Sequence, residues 1–182
     1  MIVQRPANPE WNDLVRAFGT PEFSEQVRDL PGTADELDPL DCPGGVILLI
    51  FTLAGSCIFI GSGDRSEWSL PMDQIRTGEG IIDAARRVAL EQVGANIEPV
   101  GVPLCERVLL RTGSATILRW YLVVVAETSA SALHPMKSAQ GGEARPFDLP
   151  PKVEDETMMG WMRELHLAGM RFMRSMDALD GI

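Results

Sequence analysis

The most informative segment of this chain is WSLPMDQIRTGEGIIDAARRVALEQVGA, Trp68–Ala95. Apolar residues recur at helical spacing between Ile81 and Val93, and this pattern predicts an amphipathic helix. Gly94 follows at the position where a helix commonly ends. Acids at positions 88, 91 and 92 would share one face of such a helix and would suit a divalent cation. Only Glu91 is an acid, so the helix carries part of that arrangement.

The same segment resembles the Nudix box, the motif of the Nudix hydrolase superfamily. The residues that match the box and its usual lead-in, at the required spacing, are Trp68, Leu70, Pro71, Glu79, Arg87, Glu91 and Gly94. Downstream, YLVVVAE (Tyr121–Glu127) and GEARPFDLP (Gly142–Pro150) are similar to the late strand, acidic loop residue and closing strand of that family. The resemblance therefore extends over roughly residues 45 to 175.

The box is degenerate at the positions that bind metal in the family. Met72-Asp73 stands where the family carries two glycines, and Val88 and Gln92 stand where it carries two glutamates. The scaffold positions are kept. The resemblance implies that Glu79 and Arg87 form an ion pair and that Gly94 lets the chain turn at the end of the helix.

The resemblance also implies a metal site for Mg²⁺, with Glu91, Gln92 and Asp73 as its ligands. Two missing charges weaken the expected affinity, because a hard divalent cation prefers carboxylate oxygens. Since positions 88, 91 and 92 share a helical face, we expect the double change Val88→Glu with Gln92→Glu to raise Mg²⁺ affinity.

Catalytic acids are implied at Glu91 and at Glu143, which lies where relatives often carry a late acid in a loop. Glu106 is a weaker candidate for the same part. Asp73, Glu143 and Glu106 are each equally consistent with an ordinary solvated acid, because most Asp and Glu side chains are exposed.

Three functions are compatible with these residues, because a fold does not fix a function. The first is a weakly active or inactive Nudix-fold protein that binds a nucleotide or related phosphate ligand. The second is an active pyrophosphohydrolase that uses Glu91 with substitute acids. The third is an interaction module without a ligand.

The resemblance implies a Nudix-like mixed, curved β-sheet between helices, of the α+β or α/β class. Residues 1–43 are predicted to form a helical extension with an acidic loop, and residues 44–182 the Nudix-like domain. The extension is predicted to hold one helix before Gly19 and a second short helix after Thr20-Pro21. Strands are predicted from Val46 onward.

A C-terminal helix is predicted over Glu154–Leu179. Its apolar residues form one wide stripe: Met158, Met159, Trp161, Met162, Leu165, Met170, Phe172, Met173, Met176 and Leu179. A homodimer through this stripe and packing within the monomer are both consistent with such a pattern.

The segment Gly44–Gly63 is free of charge and long enough to span a bilayer. Val, Ile and Phe are enriched in it, and a turn signal at Leu53–Ser56 interrupts it. We therefore predict two buried strands and no membrane partner.

The chain has 182 residues and a formal net charge of −10. This charge argues against a nucleic-acid partner, because binding to phosphates needs a basic face. Any polyanionic ligand would need a metal or a local cluster of arginines. The three cysteines, Cys42, Cys57 and Cys105, form no zinc or redox motif, which fits a reducing, cytoplasmic location.

Overall fold

The computed structural model describes residues 11–29, 44–61, 67–112, 115–128, 136–137 and 142–180. In chain order the elements are α1 (Trp11–Phe18), β1 (Glu22–Asp29), β2 (Gly44–Thr52), β3 (Cys57–Gly61), β4 (Trp68–Ser69), β5 (Met72–Gln74), α2 (Ile81–Val88), a π-helical segment (Ala89–Val93), β6 (Glu98–Thr112), β7 (Ala115–Thr128), β8 (Met136–Lys137), β9 (Glu143–Phe147) and α3 (Glu156–Asp180). Residues 31–43, which include the predicted acidic loop and Cys42, lie outside the described ranges.

The strands form one mixed sheet in the order β1-β6-β7-β2-β3-β9-β8, with β4 paired to β3 and β5 paired to β2. Strand β2 runs parallel to β7 and antiparallel to β3 and β5. The prediction of a mixed sheet is therefore confirmed.

The charge-free segment forms the centre of this sheet. Val46, Leu48 and Ile50 of β2 point into one core, and Ile47, Leu49 and Phe51 point into the other. This alternation is the pleat of a strand that is buried on both faces. The prediction of two buried strands is confirmed, and no helix in the described ranges has the length and apolarity that a bilayer crossing requires.

Helices cover both faces of the sheet. Helix α1, helix α2 and the π-helical segment pack on one face, together with Val46, Leu48 and Ile50. Helix α3 packs on the other face, where Trp161, Met162 and Leu165 are its buried anchors. The predicted class, a mixed sheet between helices, is thus confirmed, and the predicted box helix lies on the α1 side of the sheet.

The predicted second helix of the N-terminal segment is wrong. After the predicted helix α1, residues Glu22–Asp29 form β1, which pairs in parallel with β6 from Glu22 opposite Leu104 to Asp29 opposite Arg111. An isolated helix of this length is marginal in water, whereas the edge of the long strand β6 offers a full ladder of backbone hydrogen bonds. Phe23 adds ring contacts to Trp11 and Trp120 at centroid distances of 5.9 and 6.1 Å.

Helix α3 matches its predicted range within two residues. The Asp155 carboxylate caps its start by accepting the N–H groups of Thr157 and Met158 at 2.8 and 3.1 Å. The stripe packs on the sheet of the same chain as far as Met173, and the Phe172 ring lies where a Cβ on Gly101 would be. The homodimer stays a prediction.

His166 of α3 gives the protein an acid-sensitive point. The residue is 3% exposed, its ring lies 6.0 Å from the Phe51 ring, and its Nε2 has no hydrogen-bond partner among the described residues. Burial lowers the pKa of His166 below its ordinary value of 6.5, because the charged imidazolium is disfavoured there.

Because the folded protein resists protonation of His166 more than the unfolded chain does, stability is expected to fall as pH drops below the ordinary histidine pKa. We expect urea unfolding to give a lower free energy at about pH 5.5 than at about pH 7.5, and His166→Leu to reduce that difference. An unchanged difference in His166→Leu would assign the acid sensitivity to other groups.

Candidate functional site

The strand that replaces the glycine pair of the box has ordinary backbone geometry. Met72 and Asp73 belong to β5 and pair with Ile47 and Val46 of β2, and no described non-glycine residue has a positive φ. Strands β2 and β5 approach each other closely at Gly45 of β2, because a Cβ on Gly45 would lie 2.6 Å from the Asp73 carbonyl oxygen. The two side chains at positions 72 and 73 are thus accommodated without strain.

A tight turn connects β5 to α2. Gly78 has φ +77, and the Glu79 N–H donates to the Arg76 carbonyl at 2.9 Å. In return the Arg76 N–H donates to Glu79 Oε2 at 2.9 Å. Glu79 therefore fixes the turn at both its backbone and its side chain.

Arg87 on α2 is the centre of the site, with a side chain 12% exposed. It binds the Glu79 carboxylate through two bonds, Nε to Oε1 at 2.6 Å and Nη2 to Oε2 at 2.9 Å. Its Nη1 donates to Asp73 Oδ2 at 2.8 Å and to Glu91 Oε2 at 3.2 Å, and its Nη2 donates to the Gln74 carbonyl at 2.8 Å. One guanidinium thus joins β5, the turn and the helix.

The pairing shifts the pKa values of both main partners. The hydrogen bonds from Arg87 are the largest cause that lowers the pKa of Glu79 below its ordinary value of 4.5. The Glu79 carboxylate in turn raises the pKa of Arg87 above its already high ordinary value. Both groups are therefore charged throughout the physiological pH range.

Glu91 lies on the π-helical segment and is held by two arginines. Arg76 Nη2 donates to Glu91 Oε1 at 3.1 Å and to Oε2 at 3.3 Å, and Arg87 Nη1 donates to Oε2. The Glu91 side chain is 41% exposed and that of Arg76 is 60% exposed. Glu91 and Arg76 thus form a solvent-exposed part of the ion-pair network.

Positions 88 and 92 are used for structure. Val88 is fully buried in the core between α2 and the sheet. The Gln92 amide clasps β5, with Oε1 accepting the Met72 N–H at 3.1 Å and Nε2 donating to the Met72 carbonyl at 2.9 Å. The wider π-helical turn ends at Gly94, whose φ of +74 is left-handed.

The two later acids lie apart from this network. Ala144 of β9 packs in the core on the α2 face, so the alternation along the strand places Glu143 on the opposite face, where it pairs with Arg145 at 2.6 Å. Glu106 is buried and accepts Trp161 Nε1–H at 3.2 and 3.0 Å, under α3. The structure brings Asp73, Glu79 and Glu91 together.

The residues of the box do not fit the Mg²⁺ ion that the resemblance implies. Mg²⁺ needs several oxygen ligands in octahedral geometry. No group of three or more His, Cys, Asp or Glu side chains in the described part of the chain is arranged to hold a metal. Asp73 and Glu91 are already bound by guanidinium groups, and Gln92 has both amide atoms engaged.

Sequence reasoning missed Arg76. It lies fifteen positions before Glu91, beyond the reach of any helical spacing, and its sequence signal is a basic residue just before Gly78-Glu79. Only the folded turn brings its guanidinium onto the box helix. Burial raises the pKa values of the Cys57 and Cys105 thiols to about 12, so both are protonated at neutral pH.

No protein-family model matches this sequence, and no curated protein matches it either. Solved structures do match. A NUDIX hydrolase from Nitrosomonas europaea aligns with 71% of this chain and 91% of its own, at a TM-score of 0.51 and 17% identity. The Bacillus subtilis pyrophosphohydrolase BsRppH aligns at a TM-score of 0.49 and 15% identity, covering 74% and 84%. The MutT protein from Methanosarcina mazei Go1 aligns at 0.48 and 17% identity, covering 72% and 96%.

The match to the Nitrosomonas europaea structure concerns the fold alone at this level of identity. It agrees with the box segment, whose β5, turn and helix α2 occupy consecutive positions against the mixed sheet. This chain has the Nudix fold.

Proposed function

We propose that this Nudix-fold protein binds a nucleotide or related phosphate ligand at the box face and hydrolyses phosphoanhydrides weakly or not at all. The observation that carries the proposal is that both exposed carboxylates of the box, Asp73 and Glu91, are bound by guanidinium groups. Acids held in this way are poorly placed to receive a divalent cation, because the cation would have to displace an arginine.

Loss of the cation affects hydrolysis more than binding. A metal ion neutralises the charge of a pyrophosphate and activates the attacking water, and both effects are needed for fast phosphoryl chemistry. The box face instead carries three carboxylates (Asp73, Glu79 and Glu91) and two guanidiniums (Arg76 and Arg87). Without a metal ion, these five paired side chains provide no strong means of activating a water molecule for attack on phosphorus.

A phosphate ligand needs local positive charge on a chain whose formal net charge is −10. Arg76 supplies it, because its side chain is 60% exposed and both of its bonds to Glu91 come from Nη2. A guanidinium has five N–H donors, so donors remain for a phosphate oxygen. The pairing with Glu91 also orients the group before a ligand arrives.

The alternative of an active hydrolase has one observation in its favour. Asp73 Oδ2 and Glu91 Oε2 both contact Nη1 of Arg87, so the two carboxylates lie close together. A divalent cation that displaced this nitrogen would meet two acids at once. The proposal and this alternative differ in whether added metal produces turnover.

The test is calorimetric titration with a nucleoside diphosphate sugar in EDTA and in Mg²⁺, beside a chromatographic assay for cleavage of the same compound to a nucleoside monophosphate and a sugar phosphate. We expect saturable binding in EDTA and little cleavage with Mg²⁺ or Mn²⁺. Rapid, metal-dependent cleavage would establish the hydrolase. Absence of binding in either solution, across nucleotide probes, would leave the interaction module as the function.

A further inference from the structure

We infer that the guanidinium of Arg76 occupies the place of a divalent cation at Glu91, so that the chain itself supplies the positive charge beside this carboxylate. This inference concerns the cation alone and does not depend on the proposed ligand.

Both oxygens of the Glu91 carboxylate already accept hydrogen bonds from arginine side chains. Both oxygens accept from Arg76 Nη2, at 3.1 and 3.3 Å, and Oε2 also accepts from Arg87 Nη1 at 3.2 Å. Hard cations bind carboxylate oxygens at about 2.0–2.6 Å and need the oxygen lone pairs that accept these N–H groups. A guanidinium and a divalent ion therefore compete for the same position.

The two arginines have different parts in this competition. Arg87 is 12% exposed and is committed to Glu79, Asp73 and the Gln74 carbonyl, so its removal would dismantle the turn. Arg76 is 60% exposed, and Glu91 is the partner of its side chain. Arg76 can therefore be substituted while the bonds from Arg87 that hold the turn remain.

The turn delivers Arg76 to this position. The backbone N–H of Arg76 donates to Glu79 Oε2, and its carbonyl accepts the Glu79 N–H, both at 2.9 Å. Glu79 is in turn fixed by two bonds from Arg87. The guanidinium of Arg76 therefore starts from an immobilised backbone, which reduces the entropy lost when it pairs with Glu91.

Removal of Arg76 changes the charge at the box face in a defined way. Asp73, Glu79 and Glu91 would then face the single positive charge of Arg87. One unit charge removed a few ångströms from a divalent ion at the protein surface corresponds to at least about tenfold in affinity. Arg76→Gln is thus expected to create a divalent-cation affinity that the unmodified protein lacks.

The experiment is titration of the full chain with Mn²⁺, followed by the electron paramagnetic resonance signal of the free ion, because Mn²⁺ prefers the same oxygen ligands as Mg²⁺. The proteins are wild type, Arg76→Gln, Arg76→Lys and the control Arg86→Gln. Arg86 is a suitable control because it lies on α2, is 49% exposed and pairs with Glu98 at 3.6 Å, outside the network. Thermal unfolding of each variant shows that it is folded.

We expect at least about tenfold tighter Mn²⁺ binding in Arg76→Gln than in wild type, and no such gain in Arg76→Lys or Arg86→Gln. Saturable micromolar Mn²⁺ binding by wild type would overturn the inference. So would a folded Arg76→Gln variant that binds Mn²⁺ no better than wild type, or an equal gain in Arg86→Gln. None of these readouts depends on nucleotide binding, so the proposed function can fail while this inference stands.

Discussion

Arg87→Ala is expected to lower the free energy of unfolding by about 3–5 kcal/mol, the usual cost of removing one partner from a buried charge network. The side chain is 12% exposed and that of Glu79 is 15% exposed, so neither charge is well screened by water. Removal would leave Glu79 without its bidentate partner, Asp73 and Glu91 with one cation fewer, and the Gln74 carbonyl without its donor. Urea unfolding measures the change.

The matched control for this prediction is Arg86→Ala, one residue earlier on the same helix. Arg86 is half exposed and meets Glu98 at 3.6 Å, so the change is expected to stay within about 0.5 kcal/mol. Similar losses in both variants would mean that the helix, and not the network, sets the cost. A small loss in Arg87→Ala would show that solvent takes over its bonds.

The network is also expected to affect the pH dependence of the free energy of unfolding. The folded pKa of Glu79 lies below its ordinary value of 4.5, chiefly because of the Arg87 hydrogen bonds. The stabilisation is therefore complete above the unfolded pKa and is lost as pH falls toward the folded one. The loss of stability below about pH 4.5 should be smaller in Arg87→Ala than in wild type.

The second large effect is expected at position 88, where Val88→Glu should destabilise the protein by roughly 4 kcal/mol or more, or prevent folding. Val88 is fully buried in the core on the α2 face of the sheet. A glutamate side chain there would either be buried as a charged group or become protonated, because burial raises the pKa of a carboxyl group. The added volume would also overpack the core.

The placement of Val88 and Gln92 in the structure corrects the expectation that acids at positions 88 and 92 would converge on Glu91. Position 88 faces the sheet, and Gln92 is tied to both backbone groups of Met72, so Gln92→Glu replaces a donor by a second acceptor. The expected first consequence of the double change is therefore lost stability, and Mg²⁺ affinity depends on whether the chain folds.

Leu90→Glu is the matched control, because it puts the same side chain two residues later, on the π-helical segment that follows α2, at a residue that is 57% exposed. It is expected to change stability by no more than about 0.5 kcal/mol. Circular dichroism and urea unfolding of the two variants measure the contrast. A folded, stable Val88→Glu protein would contradict the burial argument.

The fold could be predicted because the segment Trp68–Ala95 resembles the Nudix box, and the spacing that carries this resemblance is a local property of the chain. Glu79 and Arg87 lie eight residues apart, and the intervening turn and helix bring them together at a fixed distance. The central strands were predictable for a related reason. An apolar run that is interrupted by a turn signal at Leu53–Ser56 indicates two strands, one on each side of the turn.

The strand β1 could not be predicted in this way. Its residues Glu22–Asp29 have no strong local preference, and they are extended because β6, about eighty residues later, offers an edge for pairing. Such a partner is not visible from the segment itself, since β propensity depends on the neighbours that a strand receives.

Some residues of the candidate site could be identified from the sequence, and others only from the tertiary structure. The sequence alone placed Glu79, Arg87 and Glu91 in the box and showed that the acids at positions 88 and 92 are missing. Helical periodicity states which residues share a face, but it does not state whether that face meets the core or the solvent. Only the tertiary structure assigned Val88 to the core and Gln92 to β5. It alone also brought Arg76 to Glu91, because an ion pair across a turn depends on the path of the backbone between them.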